Sequence, residues 1–254
     1  LVAAKENVRG FWDANPCNNE FGERADGLRQ YFDENEEIRY ANEPEIFEFA
    51  QFTRFNGKKI LEVGVGMGCD FTQWVRSGAE AHGVDLTDAG IKNTAERLQT
   101  YGLKAASLRT GDAEALPFSD NTFDLVYSWG VIHHSPNTER ALAELSRVCK
   151  RGGMVKFMIY NKWSAVSIMY WVLFAIRRCN PFLSLRRVFA EHIESPGTKV
   201  YSLSETYRMV GKVGAKDGRI RCYRPYFTLL YRYPRWSRPI IRSIGRVLVT
   251  AMGG

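Results

Sequence analysis

LEVGVGMGCD, residues 61–70, decides the fold. A short apolar run leads directly into glycines at alternate positions, Gly64, Gly66 and Gly68, so the stretch reads as a strand that empties into a glycine loop. A dinucleotide-binding loop is written GxGxxG, its third glycine letting the next helix pack close; counted from Gly64, that place falls on Cys69. Alternate glycines instead let the backbone pass close beneath a flat or bulky ligand with no Cβ in the way. Glu62, just before the loop, suits a ligand bearing an ammonium group and repels a pyrophosphate. Asp85 stands 21 residues beyond Gly64, where an aspartate accepts both hydroxyls of a ribose. The combination favours a nucleoside that carries a positive charge and no phosphate.

Around this loop the chain alternates between strand and helix patterns. KKILEVGVG (58–66), AEAHGVDL (79–86), the start of ASLRTGDAEALPF (106–118), NTFDLVYSWGVIHH (121–134) and MVKFMIYN (154–161) read as strands with their exit loops. Between them lie CDFTQWVRSG (69–78), closed by Gly78, TDAGIKNTAERLQTYG (87–102), opened by a Thr/Asp cap, and the amphipathic NTERALAELSRVCKRGG (137–153). Strands separated by helices in this order predict a parallel sheet covered on both faces. Before the core, NEPEIFEFAQF (42–52) has apolar residues at helical spacing. After it come the apolar KWSAVSIMYWVLFAIRR (162–178), a late helix in SLSETYRMVGKVG (202–214), and two further strands in RIRCYRPYFTLLY (219–231) and GRVLVTAM (245–252).

LEVGVGMG, VDLT, GDAEALPFSDNTFDLVYSWGVIHHS and ELSRVCKRGG, in this order and spacing over roughly residues 58–160, resemble the successive motifs of class I S-adenosylmethionine-dependent methyltransferases. Within that class the set is similar to the branch containing the quinone-biosynthesis methyltransferases. The resemblance implies a Rossmann-like α/β fold with a seven-stranded, mostly parallel sheet and helices on both faces. It divides the chain into an N-terminal helical lid (1–55), a donor-binding core (56–160), a helical cap over the substrate (161–198) and a segment completing the sheet (199–254). It also implies site roles. Gly64, Gly66 and Gly68 pass beneath the methionine portion, Glu62 orients its amino group, Asp85 holds the ribose and Leu86 lies against the adenine. Asp112 accepts from the adenine amino group, Ala113 offers its backbone nitrogen, and Ser128 and Trp129 end the fourth strand beside the donor methyl. The cofactor is then S-adenosylmethionine, with S-adenosylhomocysteine as product.

Acceptor handling is less sharply written. His133 and His134 follow the fourth strand, and either imidazole has the proton affinity of a base near neutral pH; related cyclopropane-forming methyltransferases carry an active-site histidine at the second position, which favours His134, while packing and capping explain the pair equally well. Trp12, in FWDANPCN (11–18), would close over the site as part of the lid, or serve ordinary core burial. Arg39 and Tyr40 stand where some relatives bring groups to the donor's carboxylate, a task that suits a guanidinium; a solvated helix face is the alternative for Arg39. Tyr160 and Trp163 head an aromatic stretch suited to an apolar acceptor, or to a core.

The net charge of +7 hides an asymmetry: residues 151–254 hold 19 Lys+Arg against 4 Asp+Glu, and residues 1–150 hold 16 against 24. The basic part favours an anionic neighbour, and RWSRPIIRSIGR (235–246) reads either as an interfacial helix on an anionic membrane or as a basic solvent face. The sequence therefore sets a small soluble acceptor beside a lipid-like or quinone-like acceptor met at a membrane surface. A nucleic-acid methyltransferase is disfavoured: the fourth-strand loop reads SWGVIH rather than an NPPY-like loop, and no recognised nucleic-acid module is attached. A donor-binding protein without turnover, a relative that kept the pocket, ranks last, because nothing in residues 61–129 looks degraded. The five cysteines are scattered, with no spacing for a metal or an arsenic-binding cluster, and read as free thiols in a reducing compartment. With no long apolar span and no signal-peptide core at its start, the chain is expected in the cytoplasm, in peripheral contact with a membrane if the basic part is used.

Overall fold

The computed structural model describes residues 2–15 and 27–214. Its centre is a parallel sheet of five strands, β1 (Lys59–Val63), β2 (Glu80–Asp85), β3 (Ser107–Thr110), β4 (Phe123–Trp129) and β5 (Cys149–Met158), in the order β3-β2-β1-β4-β5. The expected Rossmann-like α/β architecture is present. Of the expected seven strands the described residues hold five, all parallel; the strands read in 219–231 and 245–252 lie outside the described residues, as does the arginine stripe of 235–246.

Buried parallel strands carry apolar residues on both faces, and β1 and β4 show it. Ile60 pairs with Leu125 and Glu62 with Tyr127 on one face, and Leu61 pairs with Val126 on the other. Ile60, Leu125 and Tyr127 pack with Phe71 and Trp74 of α4 (Cys69–Arg76) and Leu98 of α5 (Asp88–Thr100). Leu61, Val63 and Val126 pack with Leu142 and Leu145 of α6 (Thr138–Val148). Glycine closes the helices where expected, at φ +76° for Gly78 and +66° for Gly102. Thr87 caps α5 by accepting from Gly90 N. One boundary differs from the sequence reading. α6 stops at Val148, and Cys149–Gly153 belongs to β5, because Cys149 pairs with Phe123 before a bulge restores register at Leu125 and Met154.

Three helices precede the sheet: α1 (Val2–Ala14), α2 (Leu28–Asn42) and α3 (Glu45–Ala50). α2 is tied to α5 by the fully buried Arg97, which donates to the Phe32 carbonyl (2.9 Å), Glu36 (2.8 Å) and Asn35 (3.3 Å). After β5 come α7 (Ala165–Trp171), which runs into a π turn over Val172–Ile176, then α8 (Leu185–His192) and α9 (Leu203–Lys212). α9 opens with a reciprocal capping box between Ser202 and Glu205. Among the described residues no helix is long and apolar enough to cross a membrane.

Candidate functional site

The chain leaves β1, builds the sheet outward through β2 and β3, then returns to add β4 on the other side of β1. The carboxyl ends of β1 and β4 therefore flank the point where strand order reverses, the place where open α/β sheets bind ligands. The glycine loop sits there. All three glycines have positive φ, +86° at Gly64, +52° at Gly66 and +74° at Gly68, but they differ in what surrounds them. A Cβ on Gly64 would lie 2.2 Å from Val131 Cγ2, and one on Gly68 2.9 Å from Thr94 Oγ1. Among the described residues a Cβ on Gly66 would meet nothing within 4 Å. Gly64 and Gly68 let the loop pack against protein; Gly66 faces open space.

Asp85, buried at the end of β2, shapes this loop. Its Oδ2 accepts from Gly66 N (2.9 Å), and its Oδ1 accepts from Thr87 N (2.9 Å) and Thr87 Oγ1 (2.7 Å). A carboxylate has about four acceptor positions, so one remains, on Oδ2. Burial pushes this carboxyl up from its ordinary range, against the pull of the three donors.

Glu62, at β1 just before the loop, is buried, and among the described residues its Oε2 has no hydrogen-bond partner. Burial and the nearby Asp70 hold its carboxyl well above the usual range. Asp70, the last residue of the opening stretch, went unsingled by sequence reasoning and is the organiser here. It receives Arg39 Nε (3.1 Å) and Nη2 (3.0 Å) as a two-pronged pair, Tyr40 Oη (3.2 Å) and Tyr127 Oη (2.9 Å). Arg39 also donates to Glu43 (2.9 Å), which accepts from Trp129 Nε1 (3.0 Å). Arg39, Tyr40 and Trp129 thus meet in one network with Asp70 and Glu43. Ser128, fully buried, donates to the Val63 carbonyl (3.1 Å) and ties β4 to the start of the glycine loop. Leu86 and Ala113 are half-buried in the loops after β2 and β3.

At the β3 side, Asp112 accepts from Glu114 N (2.8 Å) and is held by Lys5 Nζ at 2.5 Å; the same ammonium reaches Glu114 at 2.7 Å. α1 therefore lies along the site, with Lys5 on the Asp112 loop and Trp12 edge-on to His134, ring centroids 5.1 Å apart. Nothing in the sequence marked Lys5.

The histidines meet residues from the segment after α8. His134 Nδ1 lies 2.9 Å from Ser195 Oγ and 3.0 Å from Thr198 Oγ1. The Thr198 hydroxyl also gives its proton to the Ser195 carbonyl (2.6 Å), and on the other edge of the ring Nε2 lies 3.2 Å from Glu194 Oε2. Glu194 has φ +53°, uncommon for a residue with a Cβ. His133 is fully buried, neither ring nitrogen has a partner, and burial with the neighbouring His134 and Lys199 holds its pKa well below the ordinary value. Tyr160, at the exit of β5, packs on His133 at a tilt of 45° with centroids 4.2 Å apart and donates to Glu194 (2.8 Å). The sequence offered no metal-ligand spacing, yet the fold brings the two imidazoles and Glu194 to within 4.8 Å of one another, near enough to share a cation. Trp163 stands apart, turned to solvent with the Lys162 ammonium 4.9 Å from its ring centre.

The site thus joins a glycine loop at the switch point of a parallel sheet to an aspartate ending β2 and an acidic loop after β3. Residues 61–157 match the family described as a methyltransferase domain. Over 100 residues the chain is 35% identical to phosphatidylethanolamine N-methyltransferase of Cereibacter sphaeroides, covering 39% of this chain and 49% of that one. Over 104 residues it is 39% identical to phthiotriol/phenolphthiotriol dimycocerosates methyltransferase of Mycobacterium leprae, covering 40% and 37% respectively. The chain thus spans about half or less of the length of these relatives. Its fold matches the structure of phosphoethanolamine N-methyltransferase 2 from Haemonchus contortus, solved with phosphomonomethylethanolamine and S-adenosylhomocysteine, with a TM-score of 0.52, 20% identity and coverage of 83% of this chain and 45% of that one.

Proposed function

We propose that the protein transfers a methyl group from S-adenosylmethionine to a small-molecule acceptor by direct in-line displacement, releasing S-adenosylhomocysteine. The observation that carries this reading is the unsatisfied chemistry around the glycine loop: open space over Gly66, a buried Glu62 oxygen without a partner, and one acceptor position left on Asp85. An ammonium satisfies the first carboxylate and a ribose hydroxyl the second, and the bare Gly66 leaves room for the chain between them. When bound, the sulfonium donor supplies an electrophilic methyl; the protein's work is to hold the parts in line and exclude water.

Glu62 takes the amino group, Gly64–Gly68 the methionine portion, Asp85 the ribose, and Leu86, Asp112 and Ala113 the adenine. For Asp112 to accept from an adenine amino group, Lys5 must share or yield its place, which makes α1 a lid that responds to the donor. Arg39, Tyr40 and Trp129 hold Asp70 and Glu43 beside the loop, and Arg39 keeps two N–H groups beyond those it gives to Asp70 and Glu43 for a carboxylate. His134, held at Nδ1 by Ser195 and Thr198 and with Nε2 beside Glu194, is the base for an acceptor that must lose a proton, and Glu194 stabilises the imidazolium that forms. Residues 1–55 form the lid and 161–198 the cap.

A lipid-like acceptor is the second reading. It is favoured by relatives whose names specify phosphatidylethanolamine and phthiotriol dimycocerosates as substrates and by the aromatic wall of Trp12, Tyr160 and Phe189 beside the histidines. Calorimetric titration with S-adenosylmethionine and with NAD tests the donor. Micromolar binding of the first alone is expected, and binding of NAD alone would refute the reading. Labelled donor offered with phosphoethanolamine, phosphatidylethanolamine vesicles and a polar lipid extract then separates soluble from lipid acceptors.

A further inference from the structure

α7 and the π turn after it carry two faces of opposite character. Inward, Ala175 is buried, and Tyr170 and Phe174 pack against Val188 and Phe189 of α8. Phe189 meets Tyr160 (centroids 6.1 Å), which lies on His133. This inner face is the roof of the histidine site. Outward, Ile168, Val172 and Ile176 are 39%, 40% and 43% exposed, with Trp163 at one end 60% exposed and Phe182 beyond the other 96% exposed. Four residues overshoot one turn of an α-helix and fall short of one turn of a π-helix. The step from Ile168 to Val172 is made in α7 and that from Val172 to Ile176 in the π turn, so the two offsets oppose and the three side chains line up.

The segment that carries this stripe is basic. Residues 151–190 contain seven Lys+Arg and no Asp or Glu. Arg177 and Arg178 are exposed immediately after Ile176, the Arg178 guanidinium resting 5.1 Å from the Phe174 ring centre. Arg186 and Arg187 are exposed on the next helix, paired with Glu205 and Glu191. An apolar ridge bearing a tryptophan and a phenylalanine, flanked by the exposed Arg177 and Arg178, matches the boundary of an anionic bilayer: apolar side chains enter the acyl region and guanidiniums meet lipid phosphates.

We propose that the outer face of Trp163–Phe182 docks this protein on an anionic lipid surface, with the roof of the histidine site directly behind the contact. The docking stands on the surface itself. Only its purpose, presenting a membrane-resident acceptor to the site, rests on the lipid-acceptor reading above.

The test is co-sedimentation of the full chain with vesicles of phosphatidylcholine alone and of phosphatidylcholine with phosphatidylglycerol, at low and moderate salt. Binding is expected to the anionic vesicles only, weakened by salt, and to fall tenfold or more in the variant I168S/V172S/I176S/F182S. Charge reversal at R177E/R178E keeps the apolar ridge and is expected to abolish the preference for anionic lipid; it also serves if the fourfold variant fails to fold. S-adenosylmethionine affinity measured in both variants reports whether the core is intact, so a failed methyltransferase reading and a failed docking reading show separately. Wild-type binding unaffected by either variant would place the lipid contact elsewhere in the chain and overturn the proposal. A dimer that the fourfold variant converts to monomer in light scattering would assign this face to a second copy, with the same consequence.

Discussion

Asp85→Ala tests the donor site most directly, because the structure separates two things the carboxylate does. It holds the loop through Gly66 N and the start of α5 through Thr87, and it keeps one acceptor position for a ligand. Loss of one hydrogen bond from a ribose hydroxyl to a carboxylate is worth about 1.5–3 kcal/mol, which is roughly a 10- to 150-fold rise in Kd. The same change strands the Gly66 and Thr87 N–H groups, so melting temperature should fall as well. Thr87→Val separates the two effects. It removes the Oγ1 bond to Asp85 and the cap on Gly90 N, at a cost of about 1 kcal/mol in stability, but leaves the carboxylate in place. Titration calorimetry with S-adenosylhomocysteine and thermal melts, run on both variants, are sufficient. The expected pattern is a lowered melting temperature in both and a large loss of affinity in Asp85→Ala alone. An unchanged Kd in Asp85→Ala, or an equal loss in Thr87→Val, would refute the ribose assignment and leave Asp85 as a loop brace.

The glycines should divide by function. Gly66→Ala should fold, at about 1–2 kcal/mol for a Cβ at positive φ, and lose donor affinity because its methyl enters open ligand space, whereas Gly64→Ala should fail to accumulate as folded protein against Val131; circular dichroism and calorimetry distinguish these outcomes. His134→Gln should reduce turnover with an acceptor that must release a proton while leaving donor Kd within about twofold, an order-of-magnitude expectation for loss of general-base catalysis alone; an equal fall in both would make it a structural residue. His133 is held neutral by burial, so the unfolded chain binds more protons below the ordinary histidine value, and stability falls as pH drops through about 6.5. Between pH 6 and 5 this group alone should cost about 1 kcal/mol, read from denaturant midpoints, and His133→Phe should flatten that slope. Lys5→Met should free Asp112 and speed donor association in stopped-flow fluorescence, with no change if α1 does not cover the site.

The sequence by itself determined the alternation of strands and helices over residues 58–161, the cap at Thr87, and the glycine loop with Glu62 and Asp85 on its flanks. Those features are local: a strand's apolar run, a glycine's freedom at positive φ and a cap's hydrogen bond depend on residues a few positions apart. Only the tertiary structure decided which residues complete the site. Asp70 stood inside the stretch that opened the reading, but its role depends on Arg39, Tyr40 and Tyr127 arriving from α2 and β4. Lys5 reaches Asp112 across 107 positions, and Glu194 reaches His134 across 60. Tyr160 and Trp163 looked alike as aromatics at the head of one segment; one packs on His133 and the other faces solvent beside the exposed stripe of α7. Sequence periodicity states that a helix has an apolar face. Which face the sheet covers, and which is left outward, is settled when the elements pack.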